Sequence, residues 1–117
     1  MKYSDEQRIE KILEYAEKLM QYIEQNNIDR AIIEETYSVQ WAITTPLYNI
    51  GEHAYYLTNE FKEKTAHIQW NLIAGLRHRL VHDYDSTNWE MIWDIIHTEI
   101  PELISQLKKL QKIDQPE

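Results

Sequence analysis

Apolar residues recur every three or four positions through most of this chain, and few residues interrupt the pattern. The first stretch runs through Ile9, Ile12, Leu13, Ala16, Leu19, Met20 and Ile23. This spacing places apolar side chains along one face of an α-helix, which has 3.6 residues per turn. The chain contains only two glycines and three prolines, too few for the many tight turns of an all-β fold. The sequence therefore predicts an all-α protein.

Capping residues mark where the first two helices begin. Ser4 followed by Gln7 forms a capping-box pattern, and the helix that it opens is expected to end near Asn26. Asp29 can cap a second helix. The apolar stripe of that helix runs through Ile32, Ile33, Tyr37, Trp41, Tyr48, Ala54 and Leu57. Pro46 lies inside this stripe, and because proline removes a backbone donor and clashes with the preceding turn, we expect a kink or a break there.

Two further stripes complete the chain. After a polar connector at residues 62–65, the third runs through Ile68, Leu72, Ile73, Leu76 and Leu80. The last, opened by Thr87 or Asn88, runs through Trp89, Ile92, Trp93, Ile96, Leu103, Leu107 and Leu110. Pro101 is expected to bend it. Since no alternating strand pattern is present, the sequence predicts an antiparallel bundle of four to five helices.

Length and composition fit one domain without a membrane segment. The chain has 117 residues, a usual length for one domain, so we expect a single helical domain over residues 1–117. It contains no cysteine, which excludes disulfides and a cysteine nucleophile. The N-terminus lacks the apolar stretch of a signal peptide, and the longest charge-free run, residues 36–51, is too short and too polar to span a bilayer. We expect a cytoplasmic protein with no membrane partner.

Charge is unevenly distributed along the chain. The formal net charge is −8, and residues 1–60 carry 5 Lys/Arg against 11 Asp/Glu. Residues 85–117 carry 3 Lys/Arg against 7 Asp/Glu. Residues 61–84 instead carry 4 Lys/Arg against 2 Asp/Glu, together with three of the five histidines. The overall charge argues against a general nucleic-acid coat, because an acidic surface repels phosphates. The basic, histidine-rich segment is where an anionic ligand is expected.

Within that segment, Arg77, His82 and Tyr84 bring together a permanent cation, an imidazole that titrates near neutrality and a phenol. These groups suffice to cleave an RNA phosphodiester. A neutral histidine can take the proton from a ribose 2′-hydroxyl, and an arginine can stabilise the extra negative charge of the phosphorane. His78 and Arg79 are candidate phosphate contacts. No metal or other cofactor is required for this mechanism.

The spacing of Arg77 and His82 does not place them on one helical face. Five helical positions turn through about 500°, which leaves the two side chains some 140° apart. They converge more easily if the helix frays at His82, or if they meet their counterparts across the two-fold axis of a homodimer. A solvated basic helix end, interacting with the negative C-terminal end of the helix dipole, is the alternative reading of the same residues.

Most of the chain, from about residue 30 to residue 110, resembles the HepT-like toxin branch of the HEPN superfamily. The matching segments are residues 48–54 (YNIGEHA), 68–70 (IQW), 73–77 (IAGLR), 80–84 (LVHDY), 92–96 (IWDII) and 100–103 (IPEL). The family motif of arginine, four residues, histidine, one residue and tyrosine falls on Arg77, His82 and Tyr84. Two positions depart from the family pattern: His78 stands where asparagine is usual, and Asp85 stands where an aromatic or apolar residue is frequent.

The resemblance implies a HEPN-like, homodimeric, all-α endoribonuclease that needs no metal and acts as the toxin of a toxin–antitoxin system. It also implies a nucleotidyltransferase antitoxin that neutralises the toxin by transferring AMP to the motif tyrosine, Tyr84. Single-stranded RNA, such as mRNA or tRNA, is the expected target because its 2′-hydroxyl can rotate into line with the scissile phosphate. DNA is not expected as a substrate. The resemblance places Glu52 at a recurrent family position, which suggests a supporting role in the site or at an interface.

Two alternatives remain open from the sequence. His78 and His82 lie at i and i+4, a spacing that suits two metal ligands, with Asp83 as a third, although the flanking arginines would repel a dication. The other alternative is a catalytically inactive HEPN module that binds a nucleotidyltransferase partner or a nucleotide. His53 and Gly75 are interpreted as structural, Gly75 as a position of close helix packing.

Overall fold

The computed structural model describes the backbone of residues 2–82 and 87–114 and the side chains of residues 2–80 and 87–112. Regular structure in these ranges is entirely helical. The helices are α1 (Asp5–Gln25), α2 (Arg30–Glu35), α3 (Tyr37–Tyr55), α4 (Asn59–Lys64), α5 (Trp70–His82), α6 (Trp89–Asp94) and α7 (Ile100–Asp114). A π-helical turn, Ile95–Glu99, joins α6 to α7 without a break. The all-α prediction is confirmed, with four long helical elements and two short helices in the described ranges.

The predicted helix starts are confirmed by their capping hydrogen bonds. Ser4 Oγ accepts the backbone N–H of Gln7 at 3.1 Å, and Gln7 Oε1 accepts that of Ser4 at 2.9 Å. Asp29 Oδ1 accepts the N–H of Ile32 at 2.9 Å, and Asn88 Oδ1 accepts the N–H three residues on at 3.0 Å. Each such cap is worth about 1 kcal/mol. The boundaries of α1, α2 and α6 are therefore set by local sequence.

The second predicted helix breaks at Thr36 instead of Pro46. Thr36 is extended, with φ −116° and ψ 102°, whereas Pro46 lies inside the continuous helix α3. The carbonyl that loses its partner belongs to Ala42, on the exposed side of α3, where water can bond it. The restart at Thr36 also changes which face of the helix is buried. The inward positions are Val39, Ile43, Leu47, Ile50 and Ala54.

Tyr37 and Trp41 were predicted to lie on the buried stripe, and that prediction is wrong. Their exposures are 65% and 58%, and their rings meet edge to face with centroids 4.8 Å apart. The predicted stripe assumed one continuous helix. Because the chain breaks at Thr36, α3 buries a different face from the one predicted.

The irregularity predicted at Pro101 takes the form of the π-helical turn. The N–H of Ile100 bonds to the carbonyl of Ile95, five residues back instead of four. Proline lacks a backbone donor and its ring clashes with the carbonyl four residues before it. The wider turn immediately before Pro101 accommodates that ring, and the helix continues to Asp114.

The long helices bury one continuous core, with α3 packed between α1 and α5. Lys62 of α4 bonds the carbonyl of Tyr55 at the end of α3, and Phe61 of α4 contacts Trp70 at the start of α5. The end of α3 and the start of α5 are thus both adjacent to α4. It follows that α5 runs back along α3 in the opposite direction. Within the described residues, no helix has the length and apolar character needed to cross a membrane.

Candidate functional site

Gly51 sets how closely α3 and α5 approach each other. A Cβ atom built on Gly51 would lie 2.7 Å from the backbone nitrogen of Arg77 and 3.2 Å from the carbonyl oxygen of Ile73. Any larger residue would push the helices apart. The close packing predicted at Gly75 is not found within this chain, since a Cβ there would meet nothing within 4 Å. Close helix contact therefore occurs at Gly51, directly against the backbone of Arg77.

The side chain of Arg77 is held against the last turns of α3. Its Nε lies 3.4 Å from Oε2 of Glu52, and both side chains are partly shielded, with exposures of 33% and 26%. The guanidinium carbon lies 4.3 Å from the ring centre of Tyr55 and 5.6 Å from that of Tyr56. An ion pair and two cation–π contacts thus fix a cation that would otherwise move freely.

The surroundings of Arg77 favour its charged form. Burial acts to lower the pKa of Arg77, but the Glu52 carboxylate and the neighbouring Tyr55 and Tyr48 outweigh it, so the pKa lies above its usual value. Arg77 therefore stays a full positive charge across the physiological range.

Tyr48 completes this arrangement one turn before Glu52 on α3. Interaction with Glu52, followed by burial, raises the pKa of Tyr48; interaction with Arg77 acts in the opposite direction. The phenol is consequently neutral at physiological pH. Tyr48, Glu52 and Tyr55 lie at i, i+4 and i+7, so one face of α3 presents all three to Arg77.

A groove of about 580 Å³ runs beside this cluster. Its lining comprises Tyr48, Tyr55, Lys62, Asn71, Ala74, Gly75, Arg77 and His78. Lys62 donates to the carbonyl of Tyr55 at 3.1 Å, so its ammonium group is fixed at one side of the groove. Arg77, Lys62 and His78 give the groove a cationic lining that suits an anion, in the basic segment that the sequence indicates.

Arg79 lies on another side of α5. Two helical positions place it about 200° from Arg77, and its Nη1 donates to the sulfur of Met91 on α6 at 2.9 Å. The structure therefore brings His78 into the groove with Arg77 but does not bring Arg79 there.

The remaining motif residues lie at or beyond the end of α5. His82 is the last described residue of α5, but its side chain is outside the described part, and Asp83, Tyr84 and Asp85 are outside the described residues altogether. Because the helix continues through His82, the backbone gives no fraying that would turn it toward Arg77. Within one chain, the positions of Arg77 and His82 therefore remain about 140° apart around the helix axis.

Metal binding has no support among the side chains that the structure describes. No group of three or more His, Asp or Glu side chains there could hold an ion. The sequence alternative of His78 with His82 and Asp83 depends on two side chains outside that part of the chain.

Sequence reasoning missed the aromatic members of the cluster, Tyr48, Tyr55 and Tyr56. Their helical spacing with Glu52 was readable, and it could have drawn attention to this face of α3. Nothing in α3 alone says that this face meets Arg77, however, because that contact depends on where Gly51 allows α5 to cross.

Residues 12–110 match the protein family described as Ribonuclease HepT-like. A protein of Caldanaerobacter subterraneus, provisionally named as an RNase, is 42% identical over 69 residues, 59% of this chain and 62% of that protein, so less than two thirds of its length. A protein of Methanocaldococcus jannaschii, also provisionally named as an RNase, is 27% identical over 83% of this chain and 87% of its own. The "Probable ribonuclease HepT" of Thermococcus cleftensis is 27% identical over 96% of this chain and 100% of its own. No solved structure matches the chain.

Proposed function

Because this chain belongs to the Ribonuclease HepT-like family, we propose that it is a metal-independent endoribonuclease and the toxin of a toxin–antitoxin pair. The observation that carries the proposal is the fixed guanidinium of Arg77 at the edge of a cationic groove, five residues before His82. An arginine held in this way suits the stabilisation of charge on a reacting phosphate.

In the proposed reaction, the ribose 2′-hydroxyl attacks the adjacent phosphorus while His82 takes its proton as general base. Arg77 stabilises the negative charge that develops on the phosphorane oxygens. The bond from phosphorus to the 5′-oxygen then breaks, and that oxygen takes a proton from water as it leaves. The products are a 2′,3′-cyclic phosphate and a 5′-hydroxyl. Since the nucleophile is the 2′-hydroxyl, the substrate is RNA, with single-stranded mRNA or tRNA the expected targets.

Glu52 acts in this scheme as a positioning residue. Its carboxylate contacts Nε of Arg77, which leaves the terminal nitrogens of the guanidinium to bind phosphate. Geometry fixed before the substrate arrives reduces the entropy cost of reaching the transition state. His78 binds the same RNA backbone inside the groove, and Arg79 binds it only where the strand passes toward α6.

A homodimer would bring together the Arg77 and His82 residues that lie apart within one chain. The positions of Arg77 and His82 are about 140° apart around the axis of α5, so the two residues come together more readily with their counterparts across a two-fold axis. Because α5 runs back along α3, its C-terminal end lies toward the half of α3 that carries the exposed rings of Tyr37 and Trp41. A second copy of the chain would bury those rings and bring the two Arg77–His82 segments together.

Neutralisation is assigned to Tyr84, with a nucleotidyltransferase as the antitoxin. At neutral pH a phenol is almost fully protonated and is a poor general base, so Tyr84 is better suited to accept AMP than to catalyse. The added phosphodiester anion would compete with RNA phosphate for Arg77 and His82 and would repel an incoming backbone.

The proposal is tested by incubating the purified protein with total RNA in EDTA and sequencing the new ends. We expect cleavage in chelator with 2′,3′-cyclic phosphate ends, and growth arrest when the chain is expressed alone. Cleavage that is lost in EDTA and restored by zinc or magnesium would support the metal alternative. Absence of cleavage, with binding to the nucleotidyltransferase retained, would support an inactive binding module.

A further inference from the structure

Two adjacent tyrosines at the end of α3 form an exposed aromatic surface between two arginines. Tyr55 and Tyr56 are each 51% exposed, and their rings meet edge to face with centroids 5.0 Å apart. The Arg77 guanidinium lies 4.3 Å from the Tyr55 ring centre, and that of Arg8 lies 5.2 Å from the Tyr56 ring centre. We call these two rings the Tyr55–Tyr56 platform.

The cations on both sides of the platform are held in place. Arg8 Nη1 lies 3.1 Å from Nδ1 of His53, and its guanidinium also lies 5.4 Å from the ring centre of Tyr3. Arg77 is held by Glu52. The platform is therefore a prearranged pair of half-exposed rings, each with a fixed guanidinium over it.

Packing of the core does not explain the exposure of these rings. Ala54 and Leu57, immediately before and after them, are buried at 0% and 4% exposure and fill the core at this end of α3. The two tyrosines point outward, and a tyrosine ring that is rigid and half exposed is suited to binding. Aromatic faces beside arginines are the combination with which proteins bind single-stranded nucleic acid, since bases stack on the rings and phosphates contact the cations.

We propose that the Tyr55–Tyr56 platform binds an unpaired nucleobase of the RNA, next to the phosphate that Arg77 contacts. This inference rests on the proposed function. In an α-helix each Cα–Cβ bond tilts toward the N-terminus, which directs Arg77 toward Tyr55. One strand can therefore place a base on the platform and its adjacent phosphate at Arg77.

The adjoining groove gives room for that nucleotide. Its volume of about 580 Å³ lies within the range of roughly 300–1,000 Å³ that is usual for small-ligand sites. Gly75 lines it without a side chain, and even a Cβ there would contact nothing within 4 Å. The surface beside the platform is therefore open to a ribose and its phosphates.

The test uses RNA oligonucleotides with 2′-O-methyl groups, which cannot be cleaved by 2′-hydroxyl attack, so the wild-type protein can be studied. Each oligonucleotide carries the fluorescent base 2-aminopurine at one position in turn. Stacking quenches this base, so we expect one position to be quenched on binding to wild type and to Tyr56→Phe, which keeps the ring. In Tyr56→Leu the quenching should be lost, and the affinity should fall about 5- to 100-fold.

An abasic residue at the quenched position separates stacking from indirect effects on Arg8 or Arg77. Wild type should lose affinity for the abasic RNA about as much as Tyr56→Leu loses for intact RNA, and the two changes together should cost no more than either alone. Additive losses would mean that Tyr56 and this base do not interact, which overturns the inference.

Other outcomes separate this inference from the proposed function. If wild type cuts RNA but Tyr56→Leu binds it with unchanged affinity and quenching, the platform does not bind a base while the ribonuclease proposal stands. If Tyr56→Leu loses only its binding to the nucleotidyltransferase, the surface docks a protein and the inference is wrong. If wild type neither binds nor cuts RNA, both proposals fail.

Discussion

Glu52 and Arg77 form an ion pair across α3 and α5, with Oε2 of one 3.4 Å from Nε of the other. We expect Glu52→Ala to lower kcat about 10- to 100-fold by releasing the guanidinium from its position. KM should stay the same or fall, because the freed arginine can still bind ground-state phosphate without a competing carboxylate. Steady-state kinetics on one RNA oligonucleotide measure both constants.

Glu52→Gln is the matched control, since it keeps hydrogen bonding and loses only the charge. It should retain more activity than Glu52→Ala. Equal kcat in wild type and Glu52→Ala would remove the positioning role, and a rise in KM alone would instead indicate that Glu52 supports substrate binding.

Mixed dimers test whether each site draws on two chains. If Arg77 of one protomer works with His82 of its partner, a dimer of Arg77→Ala and His82→Ala protomers contains one intact site and one that lacks both groups. Random mixing should then restore about a quarter of wild-type activity, since half of the dimers are mixed and each has one of two sites. No recovery, or a fully active monomer of 14.2 kDa in light scattering, would contradict the composite site.

Tyr84→Phe should keep ribonuclease activity but escape neutralisation by the nucleotidyltransferase with ATP, because the ring remains and the acceptor hydroxyl is lost. Wild-type protein treated in the same way should gain one AMP on the peptide that contains Tyr84, as read by mass spectrometry. An adduct on another tyrosine, or complete neutralisation of Tyr84→Phe, would remove this role from Tyr84.

His53 makes stability depend on pH. Burial, followed by the charges of Arg8 and Lys11, lowers its pKa in the folded state, although Glu52 acts in the opposite direction. The unfolded chain therefore binds more protons than the folded one between the folded pKa and about 6.5. This contribution to stability is fully present above about pH 6.5 and is lost as the pH falls through the folded pKa.

We expect the Tm of wild type to fall on acidification below about pH 6.5 and His53→Gln to lose part of that dependence, as measured by thermal unfolding followed by circular dichroism. His67→Gln, which changes an exposed histidine, serves as the control and should retain the wild-type profile. Identical slopes for wild type and His53→Gln would show that another group is responsible.

The sequence predicts those parts of the fold that are determined locally. Ser4, Asp29 and Asn88 cap helices where their side chains indicate, because a cap depends on residues three positions away. The exposure of Tyr37 and Trp41 could not be predicted in this way. That exposure depends on whether the chain breaks at Thr36 or at Pro46. Pro46 is tolerated inside α3 because the carbonyl that loses its hydrogen bond faces water.

The same distinction applies to the candidate site. Arg77 and His78 were identified from their chemistry in a basic segment, and the structure places both beside one groove. Their partners Tyr48 and Tyr55 lie more than twenty residues earlier in the chain. Only the crossing of two helices at Gly51 brings them together, and local spacing contains no information about that crossing.

The central claim is that Arg77 and His82 carry out RNA cleavage, and the rate of cleavage in EDTA tests it most directly. We expect Arg77→Ala to lower the rate about 10²- to 10³-fold and His82→Ala about 10²- to 10⁴-fold, with helical content unchanged. Arg30→Ala and His67→Ala, which alter an arginine and a histidine outside the groove, should cut at the wild-type rate. Normal cleavage by both Arg77→Ala and His82→Ala would contradict the account.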